Sequence, residues 1–274
     1  VAQGENMDVS GKVFVVTGGG NGIARELVLQ LLEKGATVAA IDLSATGLAE
    51  TKILAGSFSS NLSTHTLNIT DRAKVMALPK AVIAKHGRVD ALVNVAGIIQ
   101  PFVRVNDLNF EAIERVINVN LYGTINTIKA FLPELLTRPE GYIANVSSMG
   151  GYAPVPGQTI YGATKAAVKL LTEGLHSELK GTNVHVTAIY PGAIATNIAQ
   201  NSGMAMPANM DPHEANKFPT TPAPEAARII IDAIEKNAYK VFIGKDAKTM
   251  DRLTRLMPQK AAELIYNNMK SLLG

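Results

Sequence analysis

A serine at position 148, a tyrosine at 161 and a lysine at 165 are the residues of this chain best placed to do chemistry. Tyr161 and Lys165 stand four residues apart, which on a helix puts them one turn from each other on one face. An ammonium group fixed beside a phenol stabilises the phenolate. The spacing therefore predicts a Tyr161 pKa drawn down from about 10 toward neutrality. A phenol tuned in that way can give and take the proton of a carbonyl–alcohol pair. Ser148, at the end of a preceding strand, is placed to hold the substrate oxygen by a hydrogen bond. Tyr-x-x-x-Lys is a common pattern on its own, and its weight comes from the elements that precede it.

Short apolar runs alternate with longer amphipathic stretches. Strands are expected at Lys12–Thr17, Thr37–Asp42, His65–Asn68, Val89–Asn94, Tyr142–Val146, Val184–Ile189 and Val241–Ile243. Helices are expected at Gly22–Lys34, at Ser44–Leu54 with Ser44 as cap, and from Asp71 to His86 with a kink at Pro79. Two longer helices are expected at Phe110–Leu136 and Gly157–Leu179. Strands that are apolar throughout and alternate with helices imply a parallel sheet covered on both faces. Right-handed crossovers make it doubly wound. The expectation is an α/β fold with seven parallel strands in a single domain over residues 1–274. The irregular stretch Met204–Pro224 suggests a substrate lid at about 193–224, and a helical extension occupies about 246–274.

The turn after the first strand reads Gly18-Gly19-Gly20-Asn21-Gly22-Ile23-Ala24. This is a variant of the dinucleotide fingerprint, and it makes the sheet Rossmann-type. Gly18 permits the tight turn, Gly22 lets backbone approach a pyrophosphate, and Ala24 stands where helix packs on strand. The helix N-terminus adds its partial positive charge. Gly20, Asn21 and Ile23 lie in the same turn. Asp42 closes the second strand, where a carboxylate accepts from both adenosine-ribose hydroxyls and repels a 2′-phosphate. Leu43 follows it, and residues 19–21 contain no Arg or Lys. The expected cofactor is NAD(H) over NADP(H).

Composition narrows the alternatives. The chain has 274 residues, 47% hydrophobic and 18% charged, with a net charge of +3 and no basic run, so no footprint for nucleic acid is expected. The absence of cysteine removes disulfides, thiolate nucleophiles and zinc–thiolate sites. The five histidines (65, 86, 176, 185 and 213) show no paired metal spacing, so no metal is expected. Val1–Ser10 lacks the apolar core of a signal peptide, and no apolar run has the length of a membrane span. These features point to a cytoplasmic protein with no membrane partner.

Taken in order, the motifs Thr17-Gly-x-x-x-Gly22-Ile, Asn94-Val-Ala96-Gly97, Asn120, Ser148, Tyr161-x-x-x-Lys165 and Pro191-Gly192 with Thr196 resemble the short-chain dehydrogenase/reductase family over most of the chain. The resemblance implies that Tyr161 is the general acid/base and that Lys165 lowers its pKa and binds the nicotinamide ribose. It implies that Ser148 polarises the substrate oxygen and that Asn120 holds a water linking Lys165 to a proton relay. Pro191, Gly192 and Ile194 then line the nicotinamide pocket, and Thr196 reaches its carboxamide. Asn94, Ala96 and Gly97 match the segment supporting the adenosine half. Asn68 stands where the family usually has Asp, and its amide oxygen is expected to accept from the adenine amino group, with Ile69 supplying a backbone N–H. Ser147, next to Ser148, points to the opposite face by strand alternation. Met149, Tyr152 and Met204, with Ile98 and Val155, are expected to wall a substrate pocket suited to a moderately apolar secondary alcohol or ketone. Homo-oligomers, dimers or tetramers, are usual in the family. A carbon–carbon double-bond reductase is a less fitting alternative because of the Tyr–Lys spacing. A non-catalytic NAD-binding sensor or scaffold is another, opposed by the intact site.

Overall fold

Two-sided burial explains why the strand sequences are apolar runs. A computed structural model describes residues 7–196, 198–202, 220–270 and 273. In chain order the elements are β1 (Val13–Thr17), α1 (Gly22–Glu33), β2 (Thr37–Asp42), α2 (Ala45–Leu54), β3 (Leu62–Thr66), α3 (Arg72–His86) and β4 (Ala91–Asn94). They continue with α4 (Phe110–Ile117), α5 (Gly123–Leu136), β5 (Gly141–Val146), α6 (Thr159–Glu178) and β6 (Val184–Pro191). The last are β7 (Ile194–Ala195), α7 (Ile198–Asn201), β8 (Thr221–Pro222), α8 (Ala223–Glu235), β9 (Lys240–Ile243), α9 (Lys245–Leu256) and α10 (Pro258–Met269).

Seven strands form one parallel sheet in the order β3-β2-β1-β4-β5-β6-β9, and β7 pairs with β8 beside it. This is the expected Rossmann-type α/β fold. Side chains alternate across the sheet. Phe14, Val16, Val38 and Ala40 pack with Leu27 and Leu31 of α1 and Ile230 and Ile234 of α8. Val15, Ala39 and Ile41 face the other way, toward Val75 and Val82 of α3, Phe131 of α5 and Leu175 of α6. Strand order reverses between β1 and β4. Their carboxyl ends, Thr17 opposite Asn94, therefore flank the crevice where ligands bind in such sheets.

Several elements differ from the sequence reading. β3 is Leu62–Thr66, paired from Leu62 opposite Val38 to Thr66 opposite Asp42, and not His65–Asn68. It is an edge strand with one buried face, so its polar alternation masked its start. α3 runs through Pro79 without a break. The single helix expected at 110–136 is interrupted by a π-turn at Asn118–Tyr122. α8 was not expected. Pro224 in its first turn is tolerated there, and Ala226, Ala227, Ile230, Ile231 and Ile234 form its buried stripe. Residue 197 and residues 203–219 of the expected lid, with Met204, lie outside the described residues. No helix among the described residues is long and apolar enough to cross a membrane.

Candidate active site

β5 ends at Val146, and the next two residues separate as strand alternation requires. Ser147 is buried, and its hydroxyl donates to the Lys165 carbonyl at 2.7 Å, tying α6 to the strand end. Ser148 is part-exposed. Its Oγ accepts from the Gly150 N–H at 3.0 Å and lies near enough to the Tyr161 hydroxyl to favour its phenolate. Lys165 is buried at 4% exposure, and its Nζ donates to the Val146 carbonyl at 3.0 Å. That ammonium lies 5.9 Å from the centre of the Tyr161 ring. Ser148, Tyr161 and Lys165 are thus brought together where β5 meets α6.

Electrostatics correct one expectation. The Tyr161 pKa is raised, because burial disfavours the phenolate more than the Ser148 hydrogen bond favours it. Burial lowers Lys165 from 10.5 to about 8. The lysine sits over the ring and is anchored on the Val146 carbonyl, and its own burial disfavours its charged form. The downward pull expected from Tyr-x-x-x-Lys is therefore outweighed in this structure.

Asn120 sits inside the π-turn, fully buried. Its Nδ2 donates to the Ile98 carbonyl at 2.9 Å and to Thr164 Oγ1 at 3.1 Å, and its Oδ1 accepts from the Ile98 N–H at 2.9 Å. The extra residue in the turn aims this side chain at the strip after Gly97. A side chain at Gly97 would crowd the site, since a Cβ there would stand 3.1 Å from Lys165 Nζ and 3.3 Å from Asn120 Oδ1. Gly97 also lines the neighbouring cleft, so it is the point where the two halves of the site meet.

The cleft has a volume of about 920 Å³ and lies at the carboxyl ends of β1, β2 and β4. Its wall contains Gly18, Gly20, Asn21, Gly22, Ile23, Asp42, Leu43, Asn68, Ile69, Ala96, Gly97 and Thr196, all expected from the sequence. Gly18 has φ +80°, and a Cβ there would meet Ala96 Cα at 3.1 Å. Asn21 caps α1, its side chain accepting from the Gly22 N–H at 2.6 Å. Asp42 accepts from the Gly20 N–H at 2.9 Å and the Ser44 N–H at 2.8 Å, one bond on each oxygen. A Cβ on Gly20 would lie 2.9 Å from that carboxylate, so loop and acid are fitted to each other.

Other expected residues have different surroundings. Asn94 is buried outside the cleft wall, donating to Asn145 Oδ1 at 2.8 Å and accepting from Thr127 Oγ1 at 2.7 Å, which locks β4 to β5 and α5. Asn68 lines the cleft, and its amide oxygen accepts from the Thr70 N–H (3.0 Å) and hydroxyl (2.9 Å). Pro191, Gly192 and Ile194 also lie outside the cleft wall. They are held from the C-terminal side, where the Gly192 N–H donates to the Ile243 carbonyl and the Ala193 N–H to Asp246 Oδ2, each at 2.8 Å. Met149 forms the turn after Ser148. The Tyr152 hydroxyl, expected in the substrate wall, donates to the Ala247 carbonyl at 2.8 Å, and its ring packs edge-on against Tyr190 and Phe242. Tyr152 therefore fastens α9 to the Ser148 turn.

Sequence reasoning missed Arg25 and Arg115. Arg25 bonds Glu50 at 2.7 Å, Thr51 Oγ1 at 3.1 Å and the Gly20 carbonyl, bracing the glycine loop. Arg115 lines the cleft and donates to the Ser202 carbonyl at 2.9 Å. Neither belongs to a short motif, and only the tertiary fold brings them to the cleft.

The cleft fits a nicotinamide dinucleotide. Side-chain-free positions 18 and 20 leave backbone facing its floor, the α1 N-terminus is available to phosphate, and Asp42 keeps a free lone pair on each oxygen. The comparisons with known proteins agree. Residues 12–206 match the family described as short chain dehydrogenase. SadH of Mycobacterium tuberculosis is 37% identical over 265 residues, covering 93% of this chain and 94% of that protein. A Burkholderia phymatum short chain dehydrogenase/reductase in complex with NAD superposes with TM-score 0.82 at 22% identity, over 94% of this chain and 96% of that one. A Burkholderia cenocepacia short chain dehydrogenase in complex with NADP gives TM-score 0.79 at 26% identity, over 94% and 99% of the two chains. Sequence, fold and site agree that this chain is an oxidoreductase of the short-chain dehydrogenase/reductase family.

Proposed function

We propose that this protein interconverts a secondary alcohol and a ketone with NAD(H), using Tyr161 as the proton donor and acceptor. The observation that carries this reading is the meeting of Ser148, Tyr161 and Lys165 beside Gly97, where the dinucleotide cleft ends. The nicotinamide ring, when bound, gives or takes the hydride. In the reducing direction the carbonyl carbon receives hydride while the Tyr161 hydroxyl gives its proton to the carbonyl oxygen. Ser148 hydrogen-bonds that oxygen and holds it against the phenol. The oxidising direction runs these steps backward: Tyr161, as phenolate, takes the alcohol proton while hydride leaves the carbinol carbon. The phenol is protonated at neutral pH, the form that donates in ketone reduction, and its raised pKa works against the phenolate that alcohol oxidation needs. Lys165, fixed by the Val146 carbonyl, holds the nicotinamide ribose, and Asn120 steadies the strip beside it.

Asp42 supports a preference for NAD(H). Its two free lone pairs suit two ribose hydroxyls, and the nearby cation Arg25 is paired with Glu50. Ile98, Met149, Val155 and Ile194 support a neutral, moderately apolar substrate. The exposed Phe110 and Leu170 support assembly as a homo-oligomer, and the cysteine-free composition is compatible with a cytoplasmic location. Intact Ser148, Tyr161 and Lys165 speak against a non-catalytic scaffold. The test is oxidation of NADH and NADPH by a panel of neutral ketones and charged oxo acids. Faster turnover of neutral ketones with NADH is expected. No turnover of any carbonyl despite nucleotide binding would overturn the enzymatic reading.

A further inference from the structure

α6 carries Tyr161, yet it starts without a side-chain cap of its own. The first N–H groups of a helix have no partner within it and need one elsewhere. Tyr161 lies in that first turn, and its N–H donates to Gln100 Oε1 at 2.9 Å, a residue sixty-one positions earlier. The Gln100 Nε2 donates to the Gly157 carbonyl at 2.9 Å, and the Gln100 backbone carbonyl accepts from Gln158 Nε2 at 2.6 Å. Gln100 has no exposed surface, and Gln158 is 4% exposed. Gly157 holds a left-handed φ of +75°, and a Cβ there would press to 3.1 Å from Phe102, so this turn is fitted to the strip it touches. Two residues back along that strip, Asn120 bonds both the N–H and the carbonyl of Ile98.

We infer that Gln100 is a positioning residue for Tyr161. With Gln158 it forms a two-glutamine clasp that fixes the start of α6 to the strip after Gly97. The inference rests on the acid/base reading of Tyr161. The strip 98–100 is gripped at one end by the π-turn and at the other by the catalytic helix, so Gln100 sets where Tyr161 stands relative to Ser148. Gln100 touches neither the phenol oxygen nor the cleft wall, and acts through the backbone alone. A buried amide fits because one end must accept and the other must donate. An aliphatic side chain leaves both the Tyr161 N–H and the Gly157 carbonyl buried without partners.

The test compares Gln100→Met with Gln100→Glu in the full-length chain. Glu keeps an acceptor for the Tyr161 N–H in either protonation state, whereas Met removes both bonds. Misplacing a reacting group by about an ångström costs on the order of 10²-fold in rate. Gln100→Met is expected to lower kcat by about 10- to 100-fold, with NADH Kd within about twofold. Its pH–rate limb should move upward as the phenol loses the Ser148 bond. Gln100→Glu is expected to recover kcat to within about fivefold, on the same reasoning. A folded Gln100→Met enzyme with kcat within twofold of the parent and an unmoved pH limb would overturn the inference. Should that variant not fold, Gln100→Asn, polar but too short for both partners, decides by the same readouts. Tyr161→Phe separates the two levels of the argument. If it still turns over, the reading of Tyr161 has failed. If it is inactive while the Gln100 variants match the parent, the clasp alone has failed.

Discussion

Replacing Asp42 by alanine should change which nucleotide the cleft prefers. The carboxylate offers about four lone-pair sites. The Gly20 and Ser44 N–H groups use two, at 2.9 and 2.8 Å, which leaves two for the adenosine-ribose hydroxyls. A hydrogen bond to a charged group contributes about 1.5–3 kcal/mol. NADH loses two such bonds in Asp42→Ala, and NADPH at most one, since its 2′-oxygen carries phosphate. NADPH also escapes a like-charge contact worth about 1 kcal/mol at 4 Å in water and more in a less polar site. Taking the low ends, the difference is about 2.5 kcal/mol, or about 60-fold in relative affinity. Loosening of the glycine loop weakens both nucleotides alike and cancels in the ratio. The assay is titration of each reduced nucleotide followed by its own fluorescence, with no tryptophan in the chain to interfere. A Kd ratio for NADH over NADPH that moves by less than about threefold would refute the assignment of Asp42 as the ribose acceptor.

Two further outcomes concern stability. Asp90, 2% exposed, accepts from the Val13 N–H (2.8 Å), Arg88 Nε (2.8 Å) and Arg138 Nε (2.9 Å) at the end of the sheet away from the cleft. Asp90→Asn turns an amide N–H toward one of these donors. The partly exposed arginines reduce the usual 3–5 kcal/mol cost of breaking a buried pair to about 2–3 kcal/mol, read as a Tm loss of about 4–10 °C with NADH affinity unchanged. Lys165, lowered to about 8 from 10.5, is less protonated in the folded than in the unfolded chain between those pH values. Stability of the nucleotide-free protein should therefore rise with pH from about 8 toward 10, by an amount on the order of 3 kcal/mol if the whole shift is realised. Urea unfolding at pH 7 and 9.5 should show about 2 kcal/mol of that rise in the parent and none in Lys165→Met.

The strands buried on both faces were legible because few polar residues, such as Asn94 and Asn145, interrupt their apolar runs, and the glycine turn and Asp42 because close backbone approach demands particular residues. β3 was misplaced because Ser63 and His65 alternate with exposed threonines and give no apolar run. α8 was missed because its flanking prolines read as breakers, although a first-turn proline leaves the helix intact. The π-turn around Asn120 has no sequence signature, since the same residues satisfy an ordinary helical pattern. The Tyr161 pKa was misjudged for a different reason: spacing shows the ammonium neighbour but not the burial that outweighs it. Tyr152 was assigned to the pocket by its closeness to Ser148, while its partner Ala247 lies on a helix far along the chain.

The most direct test of the account is the turnover of Tyr161→Phe beside its affinity for NADH. Phenylalanine keeps the ring against Lys165 and removes only the proton-bearing oxygen. The account predicts NADH Kd within about twofold of the parent and kcat lower by about 10²–10⁴-fold, the usual share of a general acid/base group. Retained turnover in that variant, with nucleotide binding intact, would contradict the role assigned to Tyr161.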